Sequence, residues 1–318
     1  MKIVVLDGFT VNPGDLSWAP LEALGAMTCW DETPDELRIP RIGDAEIILV
    51  NRTPLDRQTI AACPNLKYIG VFATGYNMID LEAARERGIV VANVPHYSTM
   101  AVAQHGMALL LHIANRVCRY DAEVKAGRWT LDADYAYRDA LPVELAGLTL
   151  GVIGYGAIGR AFGTMGLAMG MEVIATRRNM SGPPEDSHVS YVGKHELLER
   201  SDVVSLHVPL TTETEGMIDA AAISMMKDGV IVLNTSRGGL LAEEDVAVAL
   251  RSGKIGALGT DVTAVEPIRD DNPLLGAPNC FFTPHIAWSP RATRLRLVDR
   301  AAENAAAFLA GKPVNVVN

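Results

Sequence analysis

Short runs of apolar and β-branched residues alternate with helical patterns along almost all of this chain of 318 residues. The first hundred residues predict strands at KIVVLD (2–7), MTCW (27–30), EIILV (46–50), KYIGVFA (67–73) and IVVAN (89–93). Such alternation is typical of parallel βαβ units, because each parallel connection needs a long crossover that a helix usually supplies. Strands that are apolar almost throughout favour a sheet covered on both faces.

A second series of the same kind occupies most of the remaining chain. It predicts strands at TLGVIG (149–154), EVIAT (172–176), DVVSLH (202–207), GVIVLNT (229–235), GALGTD (256–261) and CFFT (280–283). Between the two series we predict one long helix from about Ser98 to Ala126, and at the end an amphipathic helix from Arg291 to Ala310. The predicted fold class is therefore α/β, with two doubly wound parallel-sheet (Rossmann-like) domains and a cleft between them.

Composition and charge argue against several classes of protein. The net charge of −10 disfavours a surface for nucleic acid or anionic membrane. The four cysteines show no CxxC spacing, which disfavours a metal site and fits a reducing compartment. The opening MKIVVLDG lacks the apolar run of a signal peptide, and polar residues interrupt the most apolar helical stretch, at 100–114. We expect a cytoplasmic protein without metal, nucleic-acid or membrane partners.

A glycine cluster, GYGAIG, follows the predicted strand at 149–154 and precedes a helix rich in small residues. In a dinucleotide site Gly154 permits a tight turn, Gly156 lets a pyrophosphate approach the backbone, and Gly159 lets helix and strand pack closely. Ala157 and Ile158 lie in the same turn, where N–H groups at the start of the helix face the phosphates. The alternative is a glycine-rich turn that binds no ligand.

The end of the next strand discriminates between cofactors. An acid there accepts hydrogen bonds from the ribose 2′-hydroxyl of NAD, whereas an arginine pairs with the 2′-phosphate of NADP. This chain has Thr176, Arg177 and Arg178 at that position, and no acid between Glu172 and Glu185. We therefore predict that NADP(H) is preferred and that NAD(H) is possible. The alternative is that both arginines are simply solvated.

Three charged residues follow strands of the second series, where open α/β sheets bind ligands. They are Arg237, Glu266 and His285. Hydride transfer to a 2-keto acid needs a cation for the carboxylate, a proton donor for the developing alkoxide, and an acid that orients the donor. These residue types fit those roles. For the six other histidines, including His105, we expect no catalytic role, although His207 could shape the cofactor site.

The motifs GYGAIG, HVPLTTET, LNTSRGGL, GTDVTAVEP and TPHIAW occur in this order along the chain. Together they resemble the D-isomer-specific 2-hydroxyacid dehydrogenase family, and the resemblance covers essentially the whole chain. It implies that His285 protonates the carbonyl oxygen of a 2-keto acid while the nicotinamide delivers hydride to the carbon. It also implies that Glu266 holds His285 and that Arg237 binds the carboxylate and the carbonyl group.

The same resemblance implies the domains and further contacts. Residues 1–98 and 287–318 would form a discontinuous substrate (catalytic) domain, and residues 99–286 a dinucleotide-binding domain that carries the dimerisation helix and an arm at 128–147. The chain would be a homodimer. Further cofactor contacts would come from Val208, Pro209, Thr214, Thr235, Ser236, Arg237, Asp261 and His285, with Asp261 binding the nicotinamide amide. Substrate contacts would come from Arg52, Ala73, Thr74, Gly75, Arg237, His285 and Trp288.

Trp288 and the segment NPGDLSW (12–18) resemble the branch of glycerate dehydrogenases and hydroxypyruvate or glyoxylate reductases. We therefore predict reduction of hydroxypyruvate or glyoxylate, although Trp288 could equally be a packing residue. One alternative is another D-2-hydroxyacid dehydrogenase that uses NAD(H). A second is a non-catalytic protein of the corepressor type that senses the dinucleotide. Formate dehydrogenases are disfavoured, because they carry glutamine in place of Glu266.

Overall fold

The computed structural model describes residues 1–131, 136–137, 141–178 and 187–318. By its internal contacts the chain divides into two compact units. Unit 1 comprises Met1–Ser98 and Trp288–Asn318, and unit 2 comprises Thr99–Ala287. Each unit contains a parallel sheet with helices, which confirms the predicted α/β class. The assignment of substrate and cofactor to particular units remains a prediction.

Unit 1 contains one five-stranded parallel sheet with the order β2-β1-β3-β4-β5. The strands are β1 (Lys2–Val5), β2 (Ala26–Cys29), β3 (Ile47–Val50), β4 (Tyr68–Val71) and β5 (Val90–Ala92). The helices are α1 (Gly8–Val11), α2 (Ala19–Glu22), α3 (Arg38–Ile42), α4 (Arg57–Ala62), α5 (Leu81–Glu86) and a long C-terminal helix, Arg291–Leu309. Asp56 and Asp80 start α4 and α5 by accepting a backbone hydrogen bond of 2.8 Å each.

Both faces of this sheet are covered, because successive residues of a strand point to opposite sides. On one face Ile47 belongs to an apolar cluster with Leu297 of the C-terminal helix. On the other face Ile48 belongs to a cluster with Ile60 of α4. Burial on both sides explains why the strands of unit 1 are apolar almost throughout.

After the C-terminal helix, the chain returns to the edge strand β5. Val316 forms an antiparallel bridge with Ala92, and the N–H of Val317 donates to the carbonyl of Val91 at 2.9 Å. The side-chain oxygen of Asn318 accepts the N–H of Val91 at 2.9 Å. The tail therefore covers part of the open edge of the sheet.

Unit 2 contains a seven-stranded parallel sheet with the order β12-β11-β10-β9-β6-β7-β8. Its strands are β6 (Thr149–Ile153), β7 (Glu172–Thr176), β8 (Val189–Tyr191), β9 (Val203–Leu206), β10 (Val230–Asn234), β11 (Ile255–Thr260) and β12 (Cys280–Phe282). Its helices are α6 (Thr99–Asn115), α7 (Val117–Lys125), α8 (Arg128–Leu131), α9 (Ala157–Ala168), α10 (Lys194–Arg200), α11 (Ala220–Met225) and α12 (Glu243–Ser252). The strand order reverses between β6 and β9, which is where such sheets bind ligands.

In unit 2 one prediction about local structure was wrong, and one strand was missed. The long helix predicted from Ser98 to Ala126 is broken into α6 and α7 at Arg116, which has a left-handed φ of +53°. The backbone N–H of Arg116 still donates to the carbonyl of His112, so the turn is hydrogen-bonded although α6 ends there. Neither glycine nor proline marks this break in the sequence. The three-residue strand β8 was also not predicted, because it is too short to show alternation.

Within the described part of the chain, no helix is both long and apolar enough to cross a membrane.

An ion pair between a buried arginine and an exposed aspartate anchors the C-terminal helix in unit 1. Arg294 is largely buried, and it donates two hydrogen bonds of 2.7 Å to the carboxylate of Asp15. This pairing lowers the pKa of Asp15 below its usual value of 3.8. A carboxyl group with a depressed folded-state pKa stabilises the fold above its unfolded pKa, and the effect is lost as the pH falls through the folded pKa.

We therefore expect Asp15→Asn to lower the melting temperature at pH 7, because it removes the charge that Arg294 needs. The difference from wild type should shrink as the pH falls from 3.8 through the lower pKa that Asp15 has in the folded protein, where its carboxylate becomes protonated. Thermal unfolding between pH 2.5 and pH 7 measures this. Asp44→Asn, which removes an exposed partner of Lys2, serves as the control and should change little. A constant difference at every pH would contradict the assignment.

Candidate active site

A glycine-rich turn joins β6 to α9. Gly154 has a φ of +96°, and a Cβ there would lie 2.5 Å from the carbonyl oxygen of His207. A Cβ on Gly159 would lie 2.2 Å from the carbonyl oxygen of Gly154. The backbone conformation and the close packing of the protein itself therefore require glycine at both positions.

Gly156 differs from the other two glycines of this turn. Its φ is −86°, and no atom lies within 4 Å of where its Cβ would be. No side chain caps α9 at this end, so open space lies before the first N–H groups of a 12-residue helix. This arrangement fits a bound pyrophosphate. A glycine-rich turn without a ligand would explain Gly154 and Gly159, but not Gly156.

The residues that end β7 lie in different environments. Thr176 is half-buried, and the guanidinium of Arg177 stacks on Tyr191 of β8, 4.6 Å from the ring centroid. Arg178 is 83% exposed, with its guanidinium 3.6 Å from the carboxylate of Glu213. Arg178 therefore fits the solvated alternative, whereas Arg177 is a half-buried cation held in place against an aromatic ring.

The loop after β9 lies against the glycine turn. A Cβ on Gly154 would come within 2.7 Å of Val208, so the two loops meet where the strand order reverses. The hydroxyl of Thr214 donates to the carbonyl of Pro209 at 2.7 Å and closes this loop on itself. Burial lowers the pKa of His207 to about 4. His207 is therefore neutral at pH 7 and shapes the loop rather than carrying charge.

Two hydroxyl groups follow β10. The hydroxyl of Ser236 donates to the carbonyl of Leu206 at 2.8 Å and ties the loops after β10 and β9 together. The hydroxyl of Thr235 is buried and has no hydrogen-bond partner among the described residues. Buried polar groups are normally paired, so this hydroxyl and the open space at Gly156 together fit a site for a dinucleotide.

His285 and Glu266 are directly paired. Nδ1 of His285 lies 2.6 Å from Oε2 of Glu266, and the two side chains are 29% and 31% exposed. Because an ionised carboxylate only accepts hydrogen bonds, Nδ1 carries a hydrogen, and Nε2 is the ring nitrogen left to exchange a proton with a ligand. The other oxygen of Glu266 accepts the N–H of Thr263 at 3.3 Å. This second bond helps to orient the carboxylate.

Arg237 follows β10, next to the loop after β11. Its Nη1 donates to the carbonyl of Ser236 at 2.8 Å, which leaves the other guanidinium N–H groups for a ligand. A Cβ on Gly238 would lie 1.8 Å from the carbonyl carbon of Thr263. The two loops therefore touch backbone to backbone, and only glycine is possible there. The structure places all three predicted catalytic residues after neighbouring strands, β10, β11 and β12.

Asp261 holds the segment that carries His285. Its carboxylate accepts hydrogen bonds from the hydroxyl of Thr283 at 2.5 Å and from the N–H groups of Ile286 and Ala287 at 2.9 Å each. The residue is 1% exposed. The family resemblance implied that Asp261 binds the nicotinamide amide; in the structure its carboxylate positions a loop. Contact with the cofactor remains a prediction.

Asp7 in unit 1 received no role from the sequence, which placed it at the end of the first strand. Its buried carboxylate accepts the N–H groups of Asn51, Arg52 and Thr53 at 2.8, 2.6 and 2.7 Å. These bonds fix the backbone of the loop after β3, while the side chain of Arg52 remains exposed. The signal that could have revealed Asp7 was an acid directly after an apolar strand.

Asn93 holds the loop after β4, where substrate contacts are predicted. Its Nδ2 donates to the carbonyl of Thr74 at 2.7 Å, and the hydroxyl of Thr74 donates to the carbonyl of Val94 at 3.1 Å. The carbonyl of Ala73 accepts the N–H of Val94 at 3.0 Å. Within the described residues the N–H groups of Thr74 and Gly75 donate no hydrogen bond, which leaves them for an anionic ligand.

Trp288 and the predicted dimer arm gain no direct support. Trp288 is half-buried and packs against an apolar cluster of unit 1 that includes Phe72, which favours the packing alternative. Its contact with substrate remains a prediction. The arm at 128–147 lies partly outside the described residues, which omit 132–135 and 138–140.

Comparison with known proteins identifies related sequences along the whole chain. The family model described as "D-isomer specific 2-hydroxyacid dehydrogenase, NAD binding domain" matches residues 107–287. A hydroxypyruvate reductase of Blautia hydrogenotrophica is 49% identical, over 100% of this chain and 100% of the relative. A glycerate dehydrogenase of Methylorubrum extorquens is 39% identical, over 90% of this chain and 89% of the relative.

Solved structures show the same fold. An acyclic imino acid reductase (Bsp5) in complex with NADPH and D-Arg has a TM-score of 0.89 and 30% identity, over 100% of both chains. A D-lactate dehydrogenase of Aquifex aeolicus, complexed with NAD and lactic acid, has a TM-score of 0.85 and 31% identity, over 98% of this chain and 96% of that one. Both nicotinamide dinucleotides therefore occur among these relatives.

The contrast between the glycines of the turn predicts different effects of substitution. We expect Gly156→Val to melt at nearly the wild-type temperature, because its backbone is ordinary and its surroundings are open. It should nevertheless weaken NADPH binding by about tenfold or more, or about 1.4 kcal/mol, because the side chain fills the space before the helix. Thermal unfolding and titration of NADPH fluorescence measure the two properties.

Gly159→Ala is the matched control for this experiment. Its methyl group would overlap the carbonyl of Gly154, so it should lower the free energy of unfolding by roughly 1–3 kcal/mol. Wild-type NADPH affinity in a folded Gly156→Val protein would show that the pyrophosphate does not bind in front of α9.

Proposed function

The chain belongs to the D-isomer specific 2-hydroxyacid dehydrogenase family, and we propose that it reduces hydroxypyruvate to D-glycerate and glyoxylate to glycolate, preferring NADPH. Membership makes the protein an NAD(P)-dependent oxidoreductase. The observation that carries the proposal is the pairing of His285 with Glu266 at 2.6 Å. Both residues and Arg237 follow neighbouring strands at the same edge of the sheet in unit 2. The choice of substrate rests on the hydroxypyruvate reductase that is 49% identical over the whole chain.

In this proposal the nicotinamide, when bound, supplies hydride to the carbonyl carbon of the substrate. His285 donates a proton from Nε2 to the carbonyl oxygen, while Glu266 holds Nδ1 and balances the charge of the protonated ring. Arg237 binds the substrate carboxylate and polarises the carbonyl through the N–H groups that Ser236 leaves free. General acid catalysis of this kind contributes about 10²–10⁴ in rate.

The preference for NADPH is proposed from the end of β7. Arg177 offers a cation already held against Tyr191, with Arg178 and the hydroxyl of Thr176 nearby in sequence. Holding the guanidinium in place reduces the entropy that a phosphate contact would cost. An acid that would bind the ribose of NAD is absent from the sequence at this position.

The remaining roles belong to the same proposal. Arg52 and the N–H groups of the loop Ala73–Gly75 would bind the substrate, with Trp288 at its side. Asp261 would contact the nicotinamide amide in addition to holding its own loop. The protein would act as a homodimer through unit 2.

The direct test is the ratio kcat/KM for hydroxypyruvate and for glyoxylate, measured with NADPH and with NADH. We expect turnover of both acids, with NADPH preferred. His285→Ala should lower kcat by about 10²–10⁴-fold and leave the Kd for NADPH nearly unchanged. His195→Ala, on the exposed face of α10, is the control and should behave as wild type. Tight NADPH binding without turnover of either acid would instead favour a dinucleotide-sensing protein.

Arg177→Asp tests the cofactor preference. A hydrogen-bonded pair with a charged group contributes about 1.5–3 kcal/mol, so the ratio of kcat/KM for NADPH to that for NADH should fall by roughly 10–100-fold. Arg200→Asp makes the same change of charge on α10 and should leave the ratio unchanged. An unchanged ratio in Arg177→Asp would place the 2′-phosphate elsewhere.

A further inference from the structure

A chain of three polar side chains lies beside the segment that carries His285. His105, on α6, has its Nε2 2.8 Å from the hydroxyl oxygen of Thr283. That hydroxyl lies 2.5 Å from Oδ1 of Asp261. Asp261 is 1% exposed, and the side chain of His105 is only 21% exposed. From its sequence context we expected no catalytic role for His105, and the proposed mechanism does not use it.

The hydrogen positions in this chain follow from chemistry. Asp261 also accepts the N–H groups of Ile286 and Ala287, as expected of an ionised carboxylate. Thr283 must therefore donate its single hydroxyl hydrogen to Asp261 and act as an acceptor towards His105. It follows that Nε2 of His105 carries a hydrogen, whether the ring is neutral or protonated. The hydrogen bonds from His105 through Thr283 to Asp261 therefore need a donor where Nε2 of His105 lies.

This series of hydrogen bonds ends at the backbone around His285, the proposed proton donor. Besides accepting from Thr283, Ile286 and Ala287, Asp261 accepts the N–H of His285 on its own carbonyl, at 2.8 Å. His285 has a left-handed φ of +56°, a conformation that costs energy for a residue other than glycine. Such a residue persists only where its surroundings over-determine it. The bonds of Asp261 on both sides of His285 supply that constraint.

We infer that His105 is a positioning residue for the proton donor and acts through Thr283 and Asp261. Its N–H fixes the rotation of the Thr283 hydroxyl, so that the hydroxyl hydrogen points at Asp261 and the carboxylate keeps one orientation. Without that donor the bonds from Asp261 to the segment 283–287 loosen, and Nε2 of His285 moves relative to its target. The inference deepens the proposed function and rests on it for the role of His285.

Two substitutions of His105 distinguish the effect of its N–H donor from the effect of the volume of its ring. His105→Leu keeps an apolar volume and removes the donor, whereas His105→Gln places an amide N–H near the position of Nε2. We expect His105→Leu to lower kcat by about tenfold, because misplacement of a reacting group costs rate, while KM for the keto acid and Kd for NADPH stay within about twofold. His105→Gln should recover most of the lost rate.

Hydrogen–deuterium exchange of the apoprotein tests the positioning without any catalysis. The N–H groups of His285, Ile286 and Ala287 all bond to Asp261, so a peptide covering them should exchange faster in His105→Leu and as in wild type in His105→Gln. Gln104→Leu, at an exposed position beside His105 on the same helix, is the control and should leave this peptide unchanged. If wild type reduces no keto acid, the proposed function fails, while this exchange experiment still decides whether His105 holds the segment.

A double-mutant cycle shows whether His105 acts through Thr283. If it does, the loss in kcat for His105→Leu combined with Thr283→Val should equal that of the worse single variant. Losses that multiply would overturn the inference, as would unchanged exchange in His105→Leu. So would a lowered melting temperature with no change in exchange or kcat, because His105 would then serve only the packing of α6.

Discussion

Buried polar side chains at the carboxyl ends of parallel strands determine the shape of the loops in both units. A loop that leaves a parallel sheet has backbone N–H groups without a ladder partner, and each must be satisfied by another group. The carboxylate of Asp7 satisfies three of them after β3, and the carboxylate of Asp261 satisfies those of Ile286 and Ala287 after β12, while its own carbonyl accepts the N–H of His285. A carboxylate suits this task, because its two oxygens accept several hydrogen bonds at once. The candidate functional residues Arg52 and His285 lie on these two loops.

Close approach of backbones is the second constraint on the site. Glycines 154, 159 and 238 each face another main chain at a distance that excludes a side chain. These contacts join the loop after β6 to the loop after β9, and the loop after β10 to the loop after β11, at one edge of unit 2. Gly156 is the exception, since its surroundings are open. The six-residue pattern GYGAIG thus contains two glycines that the protein needs for its own packing and one, Gly156, whose lack of a side chain suits a ligand.

How much of this structure can be predicted depends on how far apart the interacting residues lie along the sequence. Short apolar runs that alternate with helical patterns predicted both parallel sheets, because such runs are visible among neighbouring residues. The expected pairing of Glu266 with His285 is also present. Asp7 and His105 contact residues 44–46 and 178 positions away, and no local pattern reveals such contacts. The stacking of Arg177 on Tyr191 was likewise invisible, because β8 itself was too short to be predicted. The break at Arg116 has no glycine or proline to mark it.

The C-terminal helix also constrains the order in which the units can form. Its residues Leu297, Val298 and Ala301 complete the apolar cluster on one face of the sheet in unit 1. All of unit 2 is encoded between that sheet and its covering helix. During synthesis on the ribosome, one apolar face of the first sheet therefore lacks the cover of this helix until all of unit 2 has been made. All of unit 2 is made before that helix, so unit 2 can finish folding before unit 1 does.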